Sequence, residues 1–264
     1  MFKTRLLSGI VLLILIISTG ILGGPIFGLF VAAISLIAYF EFMNLVSMKK
    51  SIFFPVGIIA ALGYFALVYF GKTNFADAAA VATLLLFMAI YVVTYPKFDS
   101  QKVFAAFTGF VYSVLLLSYL YRVRALDGGV YLLWIVFIGS WGSDTCAYCV
   151  GMLFGKHKAF PKLSPKKSIE GCIGGAVGAA LICTIYAIYL NQFTDKSVSV
   201  ILFSIIGLCA SVVSQIGDLA ASAMKRNFGI KDYGKLIPGH GGILDRFDSI
   251  IFTAPIVYYL AQFM

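Results

Sequence analysis

Nine runs of apolar residues, each close to the length that crosses a bilayer, constrain this chain more than any other feature. They lie near 6–22, 25–46, 52–70, 76–95, 103–121, 129–152, 171–190, 199–224 and 247–263. A transmembrane helix needs about 20 such residues, and only a segment that pairs its own backbone polar groups is stable in hydrocarbon. A soluble core could not hide the remainder: 61% of the 264 residues are hydrophobic and 12% charged, against roughly 45–50% and about 25% in soluble domains. The expected fold is an all-α, polytopic integral membrane protein of about nine transmembrane helices. Lys3 and Arg5 before the first run resemble a secretory signal, but more runs follow and no small-x-small cleavage site does, so the first run reads as a transmembrane helix. Gly23-Gly24-Pro25, Pro96 and Asp127-Gly128-Gly129 mark turns.

Orientation follows from the cations. With the N-terminus inside, all but four of the 20 Lys and Arg (Lys72, Arg122, Arg124 and Lys196) fall on the inner side, as the positive-inside rule requires. Both long polar loops, 153–170 and 225–246, then face the cytoplasm. The same rule accounts for the net charge of +9 without nucleic acid, and anionic lipids or nucleotides are compatible with it. The five cysteines lie in apolar segments and read as small buried side chains.

Acidic residues are few and uneven. Seven of the 11 lie between Asp144 and Asp248. Asp144, Asp218 and Asp248 fall within or at the ends of apolar runs, where a carboxylate at the bilayer centre costs about 2.5–3.5 kcal/mol. Helical spacing places Trp141, Asp144, Thr145, Tyr148 and Gly151 on one face. Ser211, Ser214, Gln215, Asp218 and Ser222 share a second face, and Asp245, Asp248, Ser249 and Phe252 a third. Three polar stripes imply a polar cavity open to the cytoplasmic side. The chain therefore divides into 1–128, generic lipid-facing helices, and 129–264, a catalytic region. Glu41, beside Lys49 and Lys50, reads as an isolated charge near the interface.

Two loops carry groups suited to phosphates. In the first, Pro165 interrupts any helix, Lys166 and Lys167 offer point charges, and Ser168 is placed to cap the next helix, whose N-terminal amides suit an anion. In the second, Gly239, Gly241 and Gly242 permit positive φ, so several N–H groups can be aimed at one anion. Asp245 and Asp248, three residues apart at a helix start, can face one metal, and carboxylates with phosphate oxygens suit Mg²⁺. No G-x-x-x-x-G-K-[ST] loop and no G-x-S-x-G elbow is present. With two histidines, His157 and His240, a zinc site is not expected.

The stretch from Ser222 to Asp248 resembles the signature of the phosphatidate cytidylyltransferase family, S-x-x-K-R, four residues, K-D, then P-G-H-G-G, two residues, D-R-x-D. Its fixed positions are Ser222, Lys225, Arg226, Lys231, Asp232, Pro238, Gly239, His240, Gly241, Gly242, Asp245, Arg246 and Asp248. Trp141 to Gly171 is similar to the family's W-x-x-D-T-x-A-Y…S-P-K-K-S-x-E-G, and Gly217-Asp218-Leu219 to its G-D-L. Ala221 departs from the pattern, where many members carry Glu; the remaining acids lead us to expect activity.

The resemblance implies transfer of a cytidylyl group from CTP to phosphatidic acid, giving CDP-diacylglycerol and pyrophosphate. It implies Mg²⁺, with room for a second ion, held by Asp218 and Asp245 with Asp248 and Asp144 in support. Asp218, Asp245, Asp248 and Lys225 would act in catalysis. Lys166, Lys167, Ser168, Ser222, Arg226, Lys231, Asp232, His240 and Arg246 would bind substrate, His240 either donating to a phosphate or stabilising its loop. A homodimer through the membrane helices is compatible, in a bacterial-type inner or plasma membrane. Two other readings stay open: another lipid phosphate as acceptor, and an ion or substrate transporter, since transport pathways also carry intramembrane acids.

Overall fold

The computed structural model describes residues 2–194 and 197–264; Lys196, assigned above to the outer side, lies outside the described residues. Helices occupy all nine apolar runs. They are α1 (Phe2–Leu22), α2 (Gly24–Leu45), α3 (Phe53–Tyr69), α4 (Thr73–Thr94), α5 (Ser100–Ala125), α6 (Gly129–Phe154), α7 (Ile169–Phe193), α8 (Val200–Asn227) and α9 (Leu244–Ala261). Among the described residues seven are long and apolar enough to cross a membrane; α3, at 17 residues, and α9 are not among them. The protein is a multi-pass, all-α membrane protein.

Two local features were invisible to helical periodicity. Val111–Leu115 in α5 and Ile138–Gly142 in α6 form π turns, which add a residue to the turn and re-aim the side chains downstream. The second lies directly before Ser143 and Asp144. The first basic loop is also not irregular: β1 (Lys158–Phe160) and β2 (Ser164–Ser168) pair antiparallel, with Lys158 opposite Ser168 and Phe160 opposite Ser164. Pro165 is tolerated because a two-stranded ribbon consists of edge strands.

The chain forms two compact units. One is Met1–Ala125 with Asp232–Arg246, the other Leu126–Lys231 with Phe247–Met264. The signature turn 232–246 belongs with the N-terminal helices. Residues 1–128 are therefore not generic lipid-facing scaffold alone.

In the first unit the core is aromatic. Phe53 meets Phe87 edge-on at 5.2 Å, and Tyr64 meets Phe110 at 6.3 Å. Lipid tails give helices no hydrophobic reason to associate, so shape complementarity holds them together, and edge-to-face pairs add about 0.5–1.5 kcal/mol each. Gly57 under Tyr39 and Gly109 under Phe42 leave no room for a Cβ. Arg122, assigned above to an outer loop, is instead buried within α5. It donates from Nη2 to Tyr64 Oη at 2.9 Å and to Asp77 at 3.2 Å, and it lies over the Tyr119 ring. An intramembrane cation persists only when paired in this way.

In the second unit α6, α7 and α8 approach along small residues. Gly174 packs on Val150, Gly178 on Cys146, Gly207 on Cys183 and Gly139 on Ala210, each too tightly for a Cβ. Ser143 and Ser211 hydroxyls meet at 2.6 Å across the seam, as do Thr184 and Ser204. Close packing and interhelical hydrogen bonds are how membrane helices hold together. All five cysteines are free thiols, but only Cys183 is buried and Cys149 is exposed, which corrects the expectation of five buried side chains; Cys146 and Cys183 fill these seams. Further along α8, Gly217 lets α9 approach through Phe252 and the Asp248 carbonyl.

Candidate active site

Each unit contributes a set of carboxylates. In the first unit the signature turn is built around two of them. Asp245 Oδ2 accepts hydrogen bonds from the amides of Tyr233 at 2.8 Å and Gly242 at 2.9 Å. Glu41, reaching from α2, accepts from Ile243 N on Oε1 at 3.0 Å and from Leu244 N on Oε2 at 2.9 Å. The free amides at the start of α9 are thus occupied by the protein's own acids. This corrects the expectation that the glycine-rich turn aims those amides at a substrate phosphate, and it corrects Glu41 from an isolated interfacial charge to a buried ligand of the turn, 4% exposed. The glycines still act as expected in one respect: Gly239 and Gly241 have φ of 78° and 87°, which L side chains adopt rarely.

His240 is tied to α1. Its Nδ1 lies 2.9 Å from Ser8 Oγ, which is 3.0 Å from the Pro238 carbonyl. A serine hydroxyl donating to that carbonyl accepts from Nδ1–H, which places a proton on Nδ1. Partial burial, then the charges of Arg246 and Arg5, push the imidazole below its usual value. Of its two expected roles, the geometry gives His240 the stabilisation of the loop. The Arg5 side chain also packs on Gly239.

The second unit holds its acids differently. Asp144 on α6 and Asp218 on α8 sense each other and Lys167. Asp248 on α9 is 7% exposed and senses Asp218 and Lys225. Lys167 Nζ stands 2.5 Å from Asp218 Oδ2, with both side chains partly exposed. A cavity of about 380 Å³ opens here, lined by Asp144, Lys166, Lys167, Ser168 and Gln215 among others. Its rim includes Tyr148 and Met152, 70% and 66% exposed. Ser168 caps α7, accepting from Gly171 N at 3.1 Å as the sequence suggested. It is 6% exposed, and Gly151, Gly155 and Gly171 close around its hydroxyl, so its main role is structural. Glu170 fastens the hairpin, accepting from the amides of Lys156 and His157 and lying 2.6 Å from His157 Nδ1.

The other expected site residues are more open. Ser222 and Lys225 are half-buried on α8, and Arg226 and Lys231 are exposed near its C-terminal end. In the first unit Asp232 is exposed and Arg246 half-buried. Ala221 has no exposed surface, so a glutamate there would be buried beside Asp218 in sequence. The structure thus gathers Asp144, Asp218, Asp248, Lys166, Lys167 and Lys225 within one unit, while Asp245, His240 and Arg246 form the other unit's turn. Sequence reasoning missed Glu41, Ser8 and Ser143. Their partners are 202, 232 and 68 residues away, and no local pattern reports such distances.

Among the described residues no three His, Cys, Asp or Glu side chains stand close enough to hold a metal ion together. The donor chemistry nevertheless fits a hard cation. The carboxylate oxygens of Asp144 and Asp218 suit such an ion, and the Lys167 ammonium stands against Asp218.

Apolar helices long enough to cross a membrane, and a cavity where Lys166 and Lys167 stand with Asp144, are the features of an integral membrane transferase. The chain belongs to the cytidylyltransferase family, whose model matches residues 3–264, and so to the CTP-utilising nucleotidyltransferases. It is 35% identical over 264 residues to the phosphatidate cytidylyltransferase of Staphylococcus haemolyticus, covering 98% of both chains. It is 32% identical over 266 residues to that of Bacillus subtilis, covering 98% of this chain and 97% of the relative.

Proposed function

We propose that the protein transfers a cytidylyl group from CTP to phosphatidic acid, yielding CDP-diacylglycerol and pyrophosphate for phospholipid synthesis. The observation that carries this reading is the cavity of the second unit, where Lys166, Lys167 and Asp144 meet behind an apolar rim. Such a site suits a substrate with an anionic head and a lipid tail.

The attacking group is a phosphate oxygen of the lipid, already anionic near neutral pH, so no strong general base is required. A bond forms from that oxygen to the α-phosphorus of CTP. The bond from that phosphorus to the bridging oxygen of the β-phosphate breaks, and its electron pair leaves with pyrophosphate. The barrier is the approach of two anions and the charge that grows on the leaving group. Preorganised cations address both. Lys166 and Lys167 neutralise phosphate in the cavity, Lys225 does so from α8, and Arg226 and Lys231 near the C-terminal end of α8 add charge around the triphosphate. Ser222 on α8 adds a hydroxyl for the nucleotide. Asp218 would hold Mg²⁺, with Asp144 and Asp248 in support, and the ion would supply charge neutralisation of phosphate oxygens when bound. The resemblance of the signature would give Asp245 a part in metal binding as well. The active site faces the cytoplasm, where most of the basic residues are placed by the positive-inside rule. A homodimer through membrane helices is compatible with the exposed apolar faces.

The test is an assay of purified protein in detergent with Mg²⁺, radiolabelled CTP and a panel of lipid phosphates, measuring lipid product and pyrophosphate together. Phosphatidic acid should give both in equal amounts. CTP consumption without a labelled lipid, or preference for another lipid phosphate, would overturn the substrate assignment.

A further inference from the structure

We propose that Glu41, far from the signature in sequence, is a positioning residue that sets the first turn of α9, and with it Asp245 and Arg246, for the transfer reaction. The proposal rests on the reaction assigned above. Glu41 lies near the end of α2, is almost fully buried, and spends both carboxylate oxygens on the amides of Ile243 and Leu244. Among the described residues it forms no ion pair with a Lys or Arg. A buried carboxylate is costly unless hydrogen-bonded, and here the compensation comes from the start of one helix, where negative charge is favoured.

The fit is tight on two more sides. A Cβ added at Gly234 or at Gly242 would run into the Glu41 carboxylate. Asp245 then closes the same turn from within, binding the amides of Gly242 and Tyr233. The amides of 242, 243 and 244 are therefore all held by carboxylates, and the two acids divide the task between them. Glu41 fixes the register at which α9 begins, which fixes where Asp245 and Arg246 leave the helix. Displacement by about 1 Å of a group far from the chemistry can lower turnover on the order of 100-fold.

Glu41→Gln keeps size and one acceptor but turns an NH₂ group toward one of the two amides. We expect kcat for CTP-dependent lipid product to fall about 10- to 100-fold, KM for CTP to change less than about threefold, and the protein in detergent to melt as one folded species. Glu41→Asp, which retains both acceptors, is measured in the same way and carries the test if the glutamine variant does not fold. A double-mutant cycle adds an independent reading. Gly242→Ala should be more damaging in wild type than alongside Glu41→Ala, because removing the carboxylate makes room for the new methyl. Unchanged kcat in the folded variant, a loss no larger than the fraction unfolded, or additive effects in the cycle would overturn the proposal. Absence of product from the wild-type protein would instead count against the assigned reaction, so the two failures are distinguishable.

Discussion

The two carboxylate sets differ in what they face. In the first unit Glu41 and Asp245 each accept hydrogen bonds from two backbone amides. In the second, Asp144 and Asp248 each sense Asp218 and a lysine, and Asp144 lines an open cavity. Amide-bound carboxylates hold a backbone in place. Carboxylates set against side-chain cations can exchange those cations for a substrate's counter-charge. In the proposed reaction the same residue type would serve geometry in one place and chemistry in the other.

Substitutions can break or sharpen this contrast. The largest loss should come from Asp218→Asn, with turnover down about 10³-fold, the scale of losing one main electrostatic contributor. Next is Lys167→Met, which keeps much of the side-chain length but removes the cation. Turnover should fall about 100-fold, with a rise in KM for the lipid in mixed micelles. Ser168→Ala should act mainly on stability, lowering it by about 1 kcal/mol through loss of the α7 cap, seen as a lower melting temperature with kcat nearly unchanged. A large drop in kcat at unaltered melting would move Ser168 from scaffold to substrate contact.

The smallest effect concerns pH. The His240 value is lowered on folding, so the unfolded chain binds its proton more readily. Stability from the neutral imidazole is full above the unfolded value of about 6.5 and is lost as pH falls through it toward the lower folded value. Between pH 7.5 and 5.5 wild type should lose about 1 °C more in melting temperature than His240→Asn. An equal loss in both proteins would show that the imidazole is not held neutral by its surroundings.

Much of this was legible in the sequence, for identifiable reasons. Apolar runs fix helices because hydrocarbon admits few alternatives, and each of the nine runs is helical. The α7 cap could be read because Ser168 and its partner amide are three residues apart. The β1–β2 hairpin was missed because Pro165-Lys166-Lys167 has no apolar alternation to mark a strand. The π turn before Asp144 was missed because it changes spacing without a residue signature, so the expected stripe from Trp141 to Gly151 is not one continuous face. Glu41 was misread because its partners lie at the other end of the chain. Its neighbours Lys49 and Lys50 suggested a surface charge, and only the tertiary fold shows a buried one.

The most direct measurement compares Asp218→Asn with Asp245→Asn, recording both CTP-dependent lipid product and melting temperature in detergent with Mg²⁺. Both should lose turnover, but they should separate in stability. Asp218→Asn should melt within about 2 °C of wild type, since among the described residues its carboxylate accepts from no backbone amide. Asp245→Asn should melt several degrees lower, on the order of 2–4 °C per kcal/mol lost for a chain of this size. Wild-type turnover in Asp218→Asn, or equal melting of the two variants, would contradict the division between acids that hold the turn and acids that serve the reaction.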